Sequence, residues 1–204
     1  MSHPPLVLIH GLWDTPQLFN RLVDRLQGRR DPLVIPYLNH GLGQVALDEL
    51  TARLNTGIIE ALGSDQPLDL LGFSMGGLLA RAWIQEHGGH RRTRRFVCVG
   101  SPQRGTLIAQ WMPRALLPSI ADMKIGSAFL RRLAAEHRRQ PQRLQSIDCR
   151  SFYCPFDLMV VPSWLGVLPV GSVQALPVHS HEALIKDPNA VAILADTLLA
   201  GSGS

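Results

Sequence analysis

A serine set among glycines is the feature of this chain best suited to chemistry: Leu70-Leu71-Gly72-Phe73-Ser74-Met75-Gly76-Gly77, an apolar run entering a Gly-x-Ser-x-Gly turn and leaving into Leu78-Leu79-Ala80. A serine hydroxyl attacks a carbonyl well only when its oxygen is thrust clear of its surroundings. A sharp strand-to-helix turn does this, and small flanking residues keep it free of clashes. The helix that begins there contributes partial positive charge, and the Met75 N–H can face a developing oxyanion. Ser74 is therefore expected to be a nucleophile, the alternative being a tight glycine turn with an idle serine. An oxyanion hole needs a second N–H from a separate loop, and Leu8-Ile9-His10-Gly11-Leu12-Trp13 offers one in Leu12, with Gly11 admitting close backbone approach. His10, Gly11 and Trp13 are expected beside the substrate. His10, in a strand-end turn, suits an orienting role or a satisfied core histidine better than that of catalytic base.

Elements must hold these residues. Apolar runs of strand length alternate with stretches of helical periodicity, which indicates βαβ units, a parallel sheet and an α/β class. The expected strands are Leu6 to Ile9, Leu33 to Tyr37, Leu68 to Gly72, Phe96 to Val99, Cys149 to Tyr153 and Val173 to Pro177. Helices are expected at about 16 to 27, 43 to 62, 75 to 87 and 187 to 200. Thr15-Pro16 and Asp187-Pro188 supply the caps of the first and last. One connection breaks the alternation, because roughly 44 residues from Pro102 to Ser146 carry no strand signal. A segment that long in a compact fold is usually functional or carries its own helices. It leaves the sheet next to the nucleophile's strand, at the carboxyl edge where ligands bind. A helical lid over 103–146 is expected, with Trp111, Leu116, Leu117 and Phe129 lining an acyl pocket.

At 204 residues, with 46% hydrophobic and 18% charged residues, the chain fits one domain over 1–200, and Gly201-Ser202-Gly203-Ser204 reads as a linker scar. No apolar run approaches the roughly 18 residues of a membrane span. The opening Met1-Ser2-His3-Pro4-Pro5 lacks the features of a secretory signal, and three cysteines cannot all pair, so a reducing, cytoplasmic setting is expected. Cys149 and Cys154, five apart, should face opposite sides of the sheet. The net charge of +4 concentrates in His90 to Arg95 and Arg131 to Arg143, runs read as solvated faces or loops; no nucleic-acid recognition motif accompanies them.

Taken together, the strand-His-Gly-Leu opening and Gly-x-Ser-x-Gly-Gly resemble the α/β-hydrolase superfamily, and within it the compact bacterial esterases and lipases. Val99-Gly100-Ser101-Pro102-Gln103-Arg104-Gly105-Thr106 is similar to a segment these enzymes place after the strand that follows the nucleophile, although Gln103 and Phe73 stand where histidines are usual. The resemblance spans nearly the whole chain. It implies a doubly wound, mostly parallel sheet of about six strands and a triad in the order Ser, acid, His. On the family's Asp-x-x-Val-x-Pro pattern the acid is Asp157, with Asp148 as the alternative. On its Leu and Pro spacing the base is His181, which reaches Leu184 and Pro188, rather than His179. The implied activity is ester hydrolysis through an acyl-enzyme. Thioesterase or acyltransferase activity with the same triad, or a non-catalytic binding protein of this fold, are the alternatives. No cofactor is implied. A zinc site of His179, His181 and Glu182 would lack further ligands at the right spacing. The partner is expected to be a small acyl ester or lipid, with transient contact to a lipid surface.

Overall fold

The computed structural model describes residues 3–201, so Met1, Ser2 and the last three residues of the expected linker scar lie outside the described residues. Six strands, β1 (Leu6–Ile9), β2 (Leu33–Val34), β3 (Leu68–Phe73), β4 (Thr93–Val99), β5 (Asp148–Tyr153) and β6 (Ser172–Ala175), form one parallel sheet in the order β2-β1-β3-β4-β5-β6. Successive side chains of a strand point to opposite faces. Val7, Ile9, Leu68, Leu70, Phe96 and Cys98 accordingly join one apolar cluster, and Leu6, Leu8, Leu71, Phe73, Val97 and Val99 the other. Both faces need cover, hence strands that read as continuous apolar runs rather than alternating ones.

Eight α-helices occur among the described residues: α1 (Asn20–Leu26), α2 (Leu47–Leu62), α3 (Met75–Glu86), α4 (Pro118–Asp122), α5 (Ala128–Arg139), α6 (Gln142–Gln145), α7 (Ala183–Lys186) and α8 (Pro188–Leu199). On the first face α2 lays down Leu47, Leu50, Leu54 and Ile58, and α5 adds Phe129, Leu130 and Leu133. On the second, α1 contributes Leu22 and Leu26 and α8 contributes Leu194 and Leu198. Cys149 belongs to the first cluster and Cys154 to the second; these and Cys98 are buried and free. Burial pushes the Cys98 and Cys149 thiols up to about 12.

Several boundaries differ from the sequence expectations. Strand β2 ends at Val34 rather than Tyr37; Pro36 cannot donate to a ladder. Helix α2 starts at Leu47 rather than 43, because Gly43 holds φ of 103° and the N-cap Ala46 is extended at φ −66° and ψ 152°, both incompatible with a right-handed helix. Asp187 caps α8 by accepting from the Asn189 and Ala190 N–H groups at 2.8 and 3.1 Å, whereas Thr15 makes no side-chain cap and its segment opens as a 3₁₀ turn. Strand β4 begins inside the basic run 90–95, so that run is not a solvated loop. Arg95 is 1% exposed, its guanidinium donating to Asp148 and to the Thr197 and Ala200 carbonyls.

The chain leaves β1 toward β2 on one side and returns through β3 on the other. Ligands in open α/β sheets bind at such a switch point, outside the carboxyl ends of the strands. The residues after Ile9 and Phe73 meet there.

Candidate active site

Ser74 joins β3 to α3 with φ 53° and ψ −126°, a conformation that costs a non-glycine residue of order 1–3 kcal/mol and persists only where the surroundings enforce it. Its N–H donates to the Val99 carbonyl at 2.9 Å. The neighbouring glycines explain the motif. A Cβ at Gly76 would lie 2.1 Å from the Ile9 carbonyl oxygen, and one at Gly72 would lie 2.5 Å from the Gly77 Cα. The first turn of α3 is thus pressed onto the ends of β1 and β3, with Ser74 held at its tip.

Two histidines shape the opposing loop. His10 is fully buried: the Leu38 N–H donates to its Nε2 at 3.2 Å, which leaves the proton on Nδ1, 3.0 Å from the Gly11 carbonyl it donates to. It is not on the wall of the cavity that Ser74 lines. Both ring nitrogens are used by backbone, so the expected contact with substrate is corrected to support of the loop. His40, which the sequence reading passed over, accepts from the Trp13 N–H through Nε2 at 3.1 Å. Burial holds both imidazoles below the usual histidine range. Trp13 adopts φ 64°, and its indole N–H donates to the Leu42 carbonyl at 3.1 Å. Gly11 lies under Ser74, where a Cβ would come within 2.9 Å of the serine Cβ; it too is buried rather than on the cavity wall. Leu12, Trp13 and Ser74 line one cavity.

The acid and base candidates come together. His181 Nδ1 lies 2.7 Å from Asp157 Oδ2. The other carboxylate oxygen accepts from the Met159 and Val160 N–H groups at 2.7 and 3.0 Å, so the loop after β5 fixes Asp157, which is nearly buried. Room for the imidazole comes from Gly100 (φ 54°), where a Cβ would lie 3.2 Å from His181 Cε1. Phe73 packs on the same ring at 4.9 Å between centroids. The two alternatives lie elsewhere. Asp148 accepts from Arg95 and Arg150, and His179 is exposed against Phe156. Gln103 ties α3 to the loop after β4: its amide donates to Ser101 Oγ at 2.9 Å and its oxygen accepts from Arg81.

Ser74 and His181 open onto a cavity of about 550 Å³ whose apolar wall includes Ile108, Ala109, Met112, Ile120 and Met123. The segment 103–146 is therefore divided. Its first half faces the cavity, while Phe129, Leu130 and Leu133 of α5 sink into the core beside α3. Of the four residues expected to line the pocket, none is on its wall. Phe129 is 2% exposed in the core, Trp111 is 92% and Leu116 64% exposed, and Leu117 packs over Gly43. Composition marked the apolar residues of the segment, but their direction depends on turns that composition does not specify. Asp14 and Glu182 also line the cavity, and burial raises the Asp14 carboxyl.

The model of the "Alpha/beta hydrolase family" matches residues 6–200. The chain belongs to the alpha/beta hydrolase family. No curated protein matches it. Among solved structures, the propeptide form of Bacillus licheniformis lipase BlEst2 is similar with a TM-score of 0.78 and 14% identity, covering 100% of this chain. The chain spans about half of that protein's length, 52%. The mature form of the same lipase gives a TM-score of 0.73 and 16% identity over 97% of this chain and 92% of that one. The lin2722 gene product of Listeria innocua gives 0.71 and 15% over 98% and 96%. Identities this low carry the fold alone. This alpha/beta hydrolase chain has no helix among the described residues long and apolar enough to cross a membrane.

Proposed function

We propose that the chain is a serine hydrolase of carboxylic esters. The observation that carries this is a serine held at φ 53° and an imidazole bonded to a buried carboxylate at 2.7 Å, both lining one largely apolar cavity. Ser74 Oγ attacks the ester carbonyl as His181 takes its proton at Nε2, the nitrogen not engaged by Asp157. Charge on the carbonyl oxygen is met by the N–H groups of Leu12 and Met75, the latter at the positive end of α3. His181 returns the proton to the departing alkoxide, and water, activated the same way, releases the acid from the acyl-enzyme. Asp157 holds the tautomer and stabilises the imidazolium. The apolar wall supports an acyl chain as the buried part of the substrate.

The cavity also carries apolar side chains that reach solvent, beside the exposed carboxylate of Glu182. Trp13, Ile108 and Met159 line the cavity and are 55%, 55% and 46% exposed, which suits transient contact with a lipid surface. Three free cysteines suit the cytoplasm. The test is labelling by a fluorophosphonate together with hydrolysis of p-nitrophenyl esters. Wild type should react with both. Ser74→Ala should lose labelling and lower turnover by roughly 10⁴ to 10⁶ while folding normally. More than a tenth of wild-type turnover in that variant would reject the proposal.

A further inference from the structure

A second cavity, of about 360 Å³, shares no lining residue with the first. Helix α5 presents Leu130, Arg131, Ala134, His137 and Arg138 to it, one helical face, and Arg81 of α3 and Arg104 complete the basic lining. The charges here differ from the rest of the run 131–143. Arg132 pairs with Asp48 and Glu86, and Arg139 and Arg143 pair with Glu136. Among the described residues Arg81, Arg104, Arg131 and Arg138 make no ion pair.

Arg81 is the decisive member. It is 4% exposed, and its hydrogen bonds go to neutral acceptors only: Nε to Gln85 Oε1 at 2.7 Å, and Nη1 to the Gln103 carbonyl and Oε1 at 3.1 and 3.4 Å. Among the described residues Nη2 has no partner. Burial lowers its pKa to about 10, so it stays a cation near neutrality. His137 adds a buried Nδ1 without a partner. A buried cation without a counter-ion is destabilising, and three more cations at the mouth deepen the deficit.

We propose that this cavity binds a small organic anion, its carboxylate or phosphate group held by Arg81 Nη2 with Arg104, Arg131 and Arg138 around it, and its apolar part against Leu130, Ala134 and Val167. The guanidinium fork suits either head group. Gln85 and Gln103 hold the Arg81 fork in place from the protein side.

The test is calorimetric titration of octanoate, inorganic phosphate and 1-octanol at fixed ionic strength into wild type and into Arg104→Gln/Arg131→Gln/Arg138→Gln. These three side chains are exposed and unpaired, so the variant should keep the wild-type circular dichroism and melting temperature. Octanoate should bind the wild type and 1-octanol should not compete for the site. The variant should lose that binding by at least about ten-fold, the scale of charge-assisted contacts. Weaker binding of phosphate would assign the apolar walls to the ligand's body; binding as tight as octanoate's would reject that part and leave a free phosphate site. Octanoate entering the catalytic cavity would be insensitive to the arginine changes, so undiminished binding in the variant overturns the proposal. Absence of binding by both anions to the wild type overturns it equally.

Discussion

Two buried histidines make the loop that carries the Leu12 N–H sensitive to acid. His10 and His40 each accept a backbone N–H through Nε2, which a protonated ring cannot do. Both pKa values lie below the ordinary 6.5, with burial as the main cause, so the folded state binds fewer protons than the unfolded one. Their contribution to stability is complete above about pH 6.5 and is lost as pH falls through the lowered values. Melting temperature should drop between pH 7.5 and 5.5, and His10→Gln/His40→Gln should flatten that dependence; equal slopes in the two proteins would reject the role. At the same scale, His181→Ala should abolish ester hydrolysis while His179→Ala retains most of it. Asp157→Asn should lower kcat by up to about 10⁴ without unfolding, the cost of a wrongly set tautomer, and Asp148→Asn should leave kcat near wild type. Steady-state kinetics on one p-nitrophenyl ester separates these four.

At the scale of elements, the segment after β4 has two jobs. Residues 106–123 build the cavity wall, whereas α5 and α6 pack on the flank of the sheet beside α3. Substrate preference should therefore follow Met112 and Ile120 and not Trp111. Each buried methylene is worth about 0.8 kcal/mol, or roughly four-fold in kcat/KM, until the pocket is full. Met112→Ala/Ile120→Ala should move the optimum to longer p-nitrophenyl esters, and Trp111→Ala should leave the profile unchanged. A shift in the Trp111 variant alone would return that side chain to the pocket. Of the expected lid 103–146, the part that borders the cavity lies within 106–123, and α5 and α6 pack against α3.

At the scale of the whole molecule, the two ends of the sheet serve different ends. The carboxyl edge carries Ser74. The opposite edge holds Asp69, fully buried, which accepts from Arg30 at 2.7 Å and Arg94 at 2.6 Å. Arg30 is 1% exposed, so removal of its carboxylate strands a buried cation. Asp69→Ala should cost about 3–5 kcal/mol, or roughly 6–20 °C in Tm for a domain of this size. Asp69 precedes Ser74 by five residues, about 16 Å along the strand, so kcat per folded molecule should be unchanged. Calorimetry with active-site titration by a fluorophosphonate checks both parts.

What was legible in the sequence is what depends on local pattern. Apolar runs marked β1, β3 and β4, because burial on both faces demands continuity, whereas the edge strand β6 is exposed along its length; the glycines around Ser74 marked the turn, because a Cβ there meets backbone. Asp157 and His181 are candidates through spacing shared with a family, and the sequence offers no local reason to prefer them over Asp148 and His179. Only the tertiary structure separates those pairs: Arg95 takes Asp148 at one end of β5, and the Met159 and Val160 N–H groups hold Asp157 at the other. His40 and Arg81 had no signal at all, since one supports the chain 27 residues away and the other is defined by the lack of a counter-ion among groups brought from three elements. The direction of Trp111, Leu116 and Phe129 was likewise undecided, because an apolar side chain in an irregular segment can be buried wherever the backbone turns it. Which surface it covers is a property of the packed chain.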